Sequence, residues 1–357
     1  MYVQKRGNKY RYFKRVEYMG KVRILSVTLD KDTFQARNKA AQMLEELTPV
    51  NSDEMDFAAL RELFIEDQKV STKMTTWTRN EGTLKRIEEK LGPVKLNDLT
   101  SGTIRRALLE LSHEPTTLNE YLKRLKTAIR WAYQNDFIDS TACVDKIKRW
   151  DAPTKRDRVK GKYLEKDELN KVIQAASPFY GNIIEFLALS GLRIGELIAL
   201  QKRDVAPESI FITKTYDYLH DIITPPKTPD SERVVSVQPE LAWCIAKINR
   251  LSDQHRMISG KRPDYFVVNK YGDRLSYASF CHYFTELTEK TVNKRLTPHS
   301  LRHTHASLLA EAGIPLQTIS RRLGHHDSRI TSEIYTHATK KTAENDRKLI
   351  DSVAIIG

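Results

Sequence analysis

Cysteine is scarce. Only Cys143, Cys244 and Cys281 occur in 357 residues; they are odd in number, scattered and without CxxC spacing. That excludes a disulfide framework and a thiolate metal site, and it fits a reducing, cytoplasmic setting. Long apolar runs are also missing. "NIIEFLALSGL" is far too short to cross a bilayer, and the basic start "MYVQKRGNKY" lacks the apolar region of a secretory signal. No membrane association is expected. Internal repeats, low-complexity tracts, a Walker loop and an acidic metal cluster are absent as well. What remains is a chain with 40% hydrophobic and 29% charged residues, long enough for two or three domains.

One charge sign dominates. The formal net charge is +13, and more than half of that excess lies in residues 1–29. There Lys5, Arg6, Lys9, Arg11, Lys14, Arg15, Lys21 and Arg23 face a single acid, Glu17. A basic face that dense favours a polyphosphate through counterion release, with binding that weakens steeply in salt. Tyr10, Tyr12, Phe13, Val16 and Tyr18 interleave with the cations, which argues against a disordered solubilising tail.

The pattern predicts three regions and a linker. In residues 1–48, "KYRYFKRVEY" and "KVRILSVTL" read as strands joined around Met19-Gly20, followed by a helix with a Phe34/Ala41/Leu44 stripe. Residues 53–148 read as four or five helices. Phe57, Leu60, Leu63 and Phe64 share one face, and Leu118, Leu122, Leu125, Ile129 and Ala132 share another. The stretch 149–162, "RWDAPTKRDRVKGK", is a basic linker; Lys155, Arg156, Arg158, Lys160 and Lys162 suit it to a phosphate backbone. Residues 163–357 read as mixed α+β, with strands near 210–213, 219–224 and 233–237 between sets of helices.

Six of the ten histidines fall between residues 299 and 337. His299 and His303 stand four apart, as zinc pairs on helices do, but Ser300 stands where the zinc motif needs Glu, and Arg302 sits between them. A guanidinium beside a dication costs Coulomb energy, so no metal and no cofactor are expected. His303, His305, His326 and His337 read as ordinary core or surface residues. A phosphate explains the cluster better. In "LTPHSLRHTHASLLAEAGIP", Thr297 suits an N-cap, Pro298 the first helical position and Gly313 the end, while Leu301, Leu308 and Ala312 face a core. His299 and Arg302 then lie side by side at the positive helix end, where an anion is welcome. "PLQTISRRL" packs through Leu316, Ile319 and Leu323 and stops at Gly324, with His325 next; a short helix with Ile330 and Ile334 inward turns Tyr335 the other way. A tyrosine becomes a nucleophile when an imidazole takes its proton and guanidiniums stabilise the charge on phosphorus.

"LSGLRIGELIAL", "HSLRHTHASLL" and "LGHHDSRITSEIYTH", in that order, resemble the signature boxes of the tyrosine recombinase family, in particular the integrases of phages and conjugative transposons. Arg193 lies about 140 residues before Tyr335, as the family has it. The resemblance implies that Arg193 and Arg302 clamp the scissile phosphate and that Tyr335 attacks it to leave a 3′-phosphotyrosine. It implies further that His299 accepts the tyrosine proton, His325 donates to a non-bridging oxygen, and Glu196 steadies the first box. Lys227, on a hairpin turn, would protonate the leaving 5′-oxygen, with Lys214 the other candidate. Residues 53–148 resemble the family's helical, SAM-like core-binding domain, and residues 1–48 its arm-binding domain. The implied fold is therefore multidomain: a small β-sheet-plus-helix N-terminal domain, an all-α core-binding domain and a mixed α+β catalytic domain.

The implied partners are double-stranded DNA at core-type and arm-type sites, further copies forming a homotetramer on DNA, an accessory DNA-bending protein and an excision factor. The tail "KKTAENDRKLIDSVAIIG" reads as a helix that docks on a neighbouring protomer. Two rivals carry opposite expectations. A helix-turn-helix regulator, suggested by "SLLAEAGIPLQTISRRLGH", would bind DNA without covalent attachment. A type IB topoisomerase would relax supercoils without joining two duplexes.

Overall fold

The computed structural model describes residues 2–6, 9–18, 21–46, 55–153, 161–226 and 231–324. The chain divides into two compact units, Met1–Ala152 and Pro153–Gly357, the division falling inside the basic stretch 149–162.

The first unit begins with three strands, β1 (Tyr2–Arg6), β2 (Lys9–Tyr18) and β3 (Lys21–Leu29), in one antiparallel sheet of order β1-β2-β3. In its register Tyr12 stands opposite both Val3 and Val27. Side chains alternate across a strand, so Tyr10 and Tyr12 share a face with Val27 and Leu29. That face packs on helix α1 (Phe34–Glu46) through Ala40 and Leu44. The expected stripe is thus wrong at two of its three positions: Phe34 and Ala41 are exposed. Ala40 and Leu44, one turn apart, form the core row, and Phe34 opens the helix outside it. The Tyr12 hydroxyl donates to Asp32 Oδ1 (2.8 Å), and Arg37 grips both oxygens of that carboxylate.

The helical part comprises α2 (Phe57–Ser71), α3 (Met74–Leu91), α4 (Ser101–Leu111), α5 (Pro115–Gln134) and the short α6 (Ala142–Asp145). Asp56 caps α2 by accepting from the Ala59 amide at 2.8 Å. All five positions of the α5 stripe are buried. In α2, Ile65 is buried and Leu63 is exposed, reversing the expectation for Leu63. Ile65 follows Phe64 by 100° toward the core, whereas Leu63 turns the opposite way. The start of the expected linker is pinned to this unit. Asn119 on α5 accepts from the Trp150 amide (3.0 Å) and donates to its carbonyl (2.9 Å).

The second unit runs α7 (Lys166–Ala175), α8 (Pro178–Ser190), α9 (Ile194–Ala199), β4 (Ser209–Ile212), β5 (Thr215–Asp217), β6 (Ile222–Thr224) and β7 (Arg233–Ser236). It continues with α10 (Pro239–Ser259), α11 (Tyr277–Val292), α12 (His299–Glu311) and α13 (Leu316–Leu323). β4 pairs with β7 and β5 with β6, both antiparallel. Residues 219–221, expected within a strand, form the turn of the β5–β6 hairpin. Ile183, Ile184, Phe186 and Leu187 of α8 share a core with Phe280 and Phe284 of α11 and Leu301 of α12. Ala312 is exposed, contrary to expectation, because it already caps the end of α12. Thr297 serves that helix through its carbonyl, which accepts from the Ser300 amide at 2.8 Å, rather than through a side-chain cap. Among the described residues no helix is long and apolar enough to cross a membrane.

Candidate active site

Helix α8 ends at Gly191, whose φ of +69° sits in the left-handed region that glycine enters at least cost. A Cβ there would lie 2.5 Å from His305 Cδ2 and 2.8 Å from Leu323 Cδ2, so glycine is also demanded by packing. The turn delivers Arg193 to the start of α9. Its amide donates to Glu196 Oε2 (2.8 Å) and its guanidinium to Oε1 (2.7 Å), while the side chain keeps about a third of its surface exposed. Glu196 is buried. Burial pushes its carboxyl up, but the hydrogen bonds and charge of Arg233, with the charges of Arg193 and Arg302, outweigh that and hold it down to about 2.

Arg302, on the first turn of α12, is 1% exposed. It donates to the Gly191 carbonyl at 2.9 Å and also to the Leu323 carbonyl. One guanidinium therefore joins the turn before Arg193 to the end of α13. Burial first, then the charge of Arg193, lowers its pKa. His299, one turn earlier, keeps an exposed edge. Burial of the rest of the ring, then Arg302 and Arg193, lower its pKa to about 4, so it is neutral and able to accept a proton at pH 7. The ring of His303 meets it edge-on, centroids 4.7 Å apart.

Two guanidiniums, from Arg193 and Arg233, thus bond one carboxylate, and Arg302 adds a third positive charge nearby. The surplus positive charge in a poorly hydrated setting suits an anion with oxygens to share. His305 is fixed differently. Its Nδ1 donates to the Ala188 carbonyl (2.7 Å), and its Nε2 accepts from Arg322 Nε (3.2 Å). Both nitrogens are committed, and burial, with Arg322, lowers its pKa to about 3. It is a neutral structural histidine.

Of the expected site residues, Arg193, Glu196, His299 and Arg302 come together. Lys227, His325 and Tyr335 lie outside the described residues, as do Lys155, Arg156, Arg158 and Lys160 of the basic stretch and the tail beyond residue 340. Lys162 is exposed. Lys214, the other hairpin lysine, donates to Gln201 Oε1 (2.7 Å) and Asp204 Oδ2 (3.3 Å). Two arginines escaped the sequence reading. Arg233 forks onto Glu196, and Arg322 reaches Ser236, Gln238 and Leu189. Arg233 gave one signal, a lone cation opening the alternating run "RVVSV".

Among the eight N-terminal cations, strand register puts Lys9, Arg11 and Arg15 on the sheet face opposite α1, and Lys5 and Lys14 on the α1 side. Arg6, Lys21 and Arg23 are placed only as strand positions. Arg11 donates to Ser26 Oγ from Nε (3.0 Å) and Nη2 (2.8 Å) and stands 5.4 Å from the centre of the Phe13 ring. Phe13 stacks on Tyr2, so cations and aromatic rings share this face of the sheet.

Residues 162–342 match the phage integrase family, and residues 56–112 match the phage integrase N-terminal SAM-like domain. The chain is 27% identical over 371 residues to the prophage ps2 probable integrase of Lactococcus lactis subsp. lactis (strain IL1403), spanning 95% of this chain and 96% of that one. Its fold is similar to that of the Tn1549 transposon integrase solved with transposon right end DNA, with a TM-score of 0.66 and 19% identity over 84% of this chain and all of that one. The lambda integrase tetramer bound to a Holliday junction is similar too, with a TM-score of 0.61 and 18% identity over 93% of this chain and 94% of that one.

Proposed function

The chain belongs to the phage integrase family and is a site-specific tyrosine recombinase of the integrase type, an enzyme that cleaves and rejoins DNA strands; we propose that Tyr335 is its nucleophile and that Arg193, Arg302 and His299 form the cradle for the scissile phosphate. The observation that carries this reading is that Arg193, held by the buried Glu196 carboxylate, and Arg302, bonded to the Gly191 carbonyl of the turn that delivers Arg193, come together beside a neutral His299.

Arg193 and Arg302 each present N–H groups to the non-bridging oxygens and offset the charge that builds on phosphorus. The Tyr335 oxygen bonds to phosphorus as its proton passes to His299, and the bond from phosphorus to the 5′-oxygen breaks. Lys227 protonates that oxygen; the engagement of Lys214 by Gln201 and Asp204 favours Lys227 for the role. His325 donates to a non-bridging oxygen. The phosphotyrosine ester keeps the energy of the phosphodiester, so the reverse attack by a 5′-hydroxyl reseals the strand without a nucleotide cofactor. Glu196 holds Arg193 in place and does not touch the phosphate.

In this reading residues 163–357 form the catalytic domain, 53–148 the core-binding domain, 149–162 a basic linker along the backbone and 1–48 the arm-binding domain. Its partners are core-type and arm-type DNA and three further copies of the chain, with a DNA-bending protein and an excision factor as accessories. The DNA complexes and the tetramer of its structural neighbours support the first two. The test is a nicked trapping substrate with peptide mapping of the adduct. Wild type should give a denaturant-resistant adduct on Tyr335, and Tyr335→Phe should bind the site yet give none. An adduct on another side chain, or one that disappears on chelating divalent ions, overturns the reading.

A further inference from the structure

We propose that Arg233 is a positioning residue for strand cleavage, locking the turn that carries Arg193 to the end of α13, which His325 follows in sequence. The proposal rests on the active-site reading above.

The first residue of β7 makes bonds in two directions. Its Nη1 and Nη2 fork onto Glu196 Oε1 (3.0 Å) and Oε2 (2.8 Å), the carboxylate that also holds the Arg193 amide and guanidinium. Its Nε donates to the Arg322 carbonyl at 2.8 Å. A helix leaves its last carbonyls without partners inside the helix, and cations are favoured at that end. Here two successive carbonyls, Arg322 and Leu323, are taken by Arg233 and Arg302. Gly324 then ends the helix with φ +64°, immediately before His325. The tie is returned, because the Arg322 side chain donates to the Ser236 carbonyl (3.0 Å) at the far end of β7.

The side chains of Arg233 and Glu196 are 5% and 3% exposed. A buried ion pair gains little over an apolar pair of equal volume, so stability alone explains the arrangement poorly. What an apolar pair could not do is fix the end of α13 against the turn that carries Arg193 through directed hydrogen bonds. Cleavage is sensitive to such placement; a misplacement of about 1 Å costs roughly 100-fold.

The experiment uses the full chain, the nicked trapping substrate, and Arg233→Gln and Arg233→Lys. Arg233→Gln should form the adduct at least about tenfold more slowly in a single turnover, with site binding within about twofold of wild type. A pH series separates positioning from scaffolding. The charged groups facing Glu196 are Arg193 before α9, Arg233 on β7 and Arg302 on α12, and the titratable His299, also on α12, stays neutral across the series. Without Arg233 the buried carboxyl takes up a proton at higher pH, so the ratio of Arg233→Gln to wild-type rate should fall as pH is lowered from about 8 to about 6. Arg233→Lys keeps the charge but not the fork, so its ratio should stay level with pH while its rate remains low. If both variants cleave within twofold of wild type at every pH, or lose binding and cleavage in proportion, the proposal is wrong. The wild-type adduct tests the underlying reading separately: its absence from Tyr335 sinks that reading, whereas a normal adduct with unimpaired variants sinks only this one.

Discussion

The catalytic unit and the N-terminal sheet are both rich in arginine, and they use it in opposite ways. In the first, Arg193, Arg233, Arg302 and Arg322 all donate to protein acceptors, and Arg302 is 1% exposed. In the second, Lys9 and Arg15 are exposed on the open face, and Arg11 is braced by a serine and a ring. A locked cation fixes shape, so its loss strikes chemistry. An exposed one holds counterions that a polyanion releases, so its loss strikes salt-dependent affinity. Substitutions in the two regions should therefore fail in different assays.

The largest effect is expected at Arg302. Arg302→Ala removes the proposed phosphate donor and strips the Gly191 and Leu323 carbonyls of their partner. Single-turnover cleavage should fall by about 100- to 1,000-fold or more, with a lowered melting temperature. Wild-type cleavage in this variant would end the distinction between the regions.

Next comes a pair of glycines with the same backbone conformation. Gly191 and Gly313 have φ of +69° and +76°, but a Cβ at Gly191 collides with His305 and Leu323, whereas at Gly313 nothing lies within 4 Å. Gly191→Ala should cost about 2–4 kcal/mol in chemical denaturation and Gly313→Ala about 1 kcal/mol. Equal costs would mean that backbone strain alone, and not the packing behind Arg193, makes Gly191 necessary.

On the sheet, Arg11→Gln and Arg15→Gln should each lower the slope of log affinity against log salt for arm-type DNA by about 1. Cleavage of a core-type substrate should not change. A shift in cleavage with an unaltered salt slope would place these residues in the wrong group.

How much of this the sequence announces depends on how far apart the partners lie. The α5 stripe and the stops at Gly313 and Gly324 are local patterns, and the structure has them where the periodicity puts them. The Arg193–Glu196 and His299–Arg302 pairs are one helical turn apart and equally legible. Arg233 and Arg322 are not, because their partners stand 37, 84 and 89 residues away and no period links them. β5 is three residues long, too short for alternation to show. Phe34, Ala41 and Leu63 failed because an apolar residue beside the core row of a helix looks, in sequence, like one within it. The regulator alternative gives way to the family match over residues 162–342. The helix–turn–helix it relied on exists as α12 and α13, but the buried face of α12 carries Arg302 inward to the Gly191 turn.

The smallest effect makes the sharpest contrast, because it concerns removing an acid. On the sheet, Lys9 Nζ lies 3.5 Å from Asp30, with both side chains mostly exposed. An exposed pair contributes little to stability. A nearby carboxylate, however, competes with phosphate for the ammonium. Asp30→Asn should therefore leave the melting temperature unchanged and tighten arm-type binding by about twofold at low salt, the gain vanishing as salt screens the pair. In the catalytic unit the same carboxylate-to-amide change, Glu196→Gln, should slow cleavage, since there the acid organises the cations instead of competing for them. If both acids act in the same direction, the division between shape-forming and ligand-seeking cations is wrong.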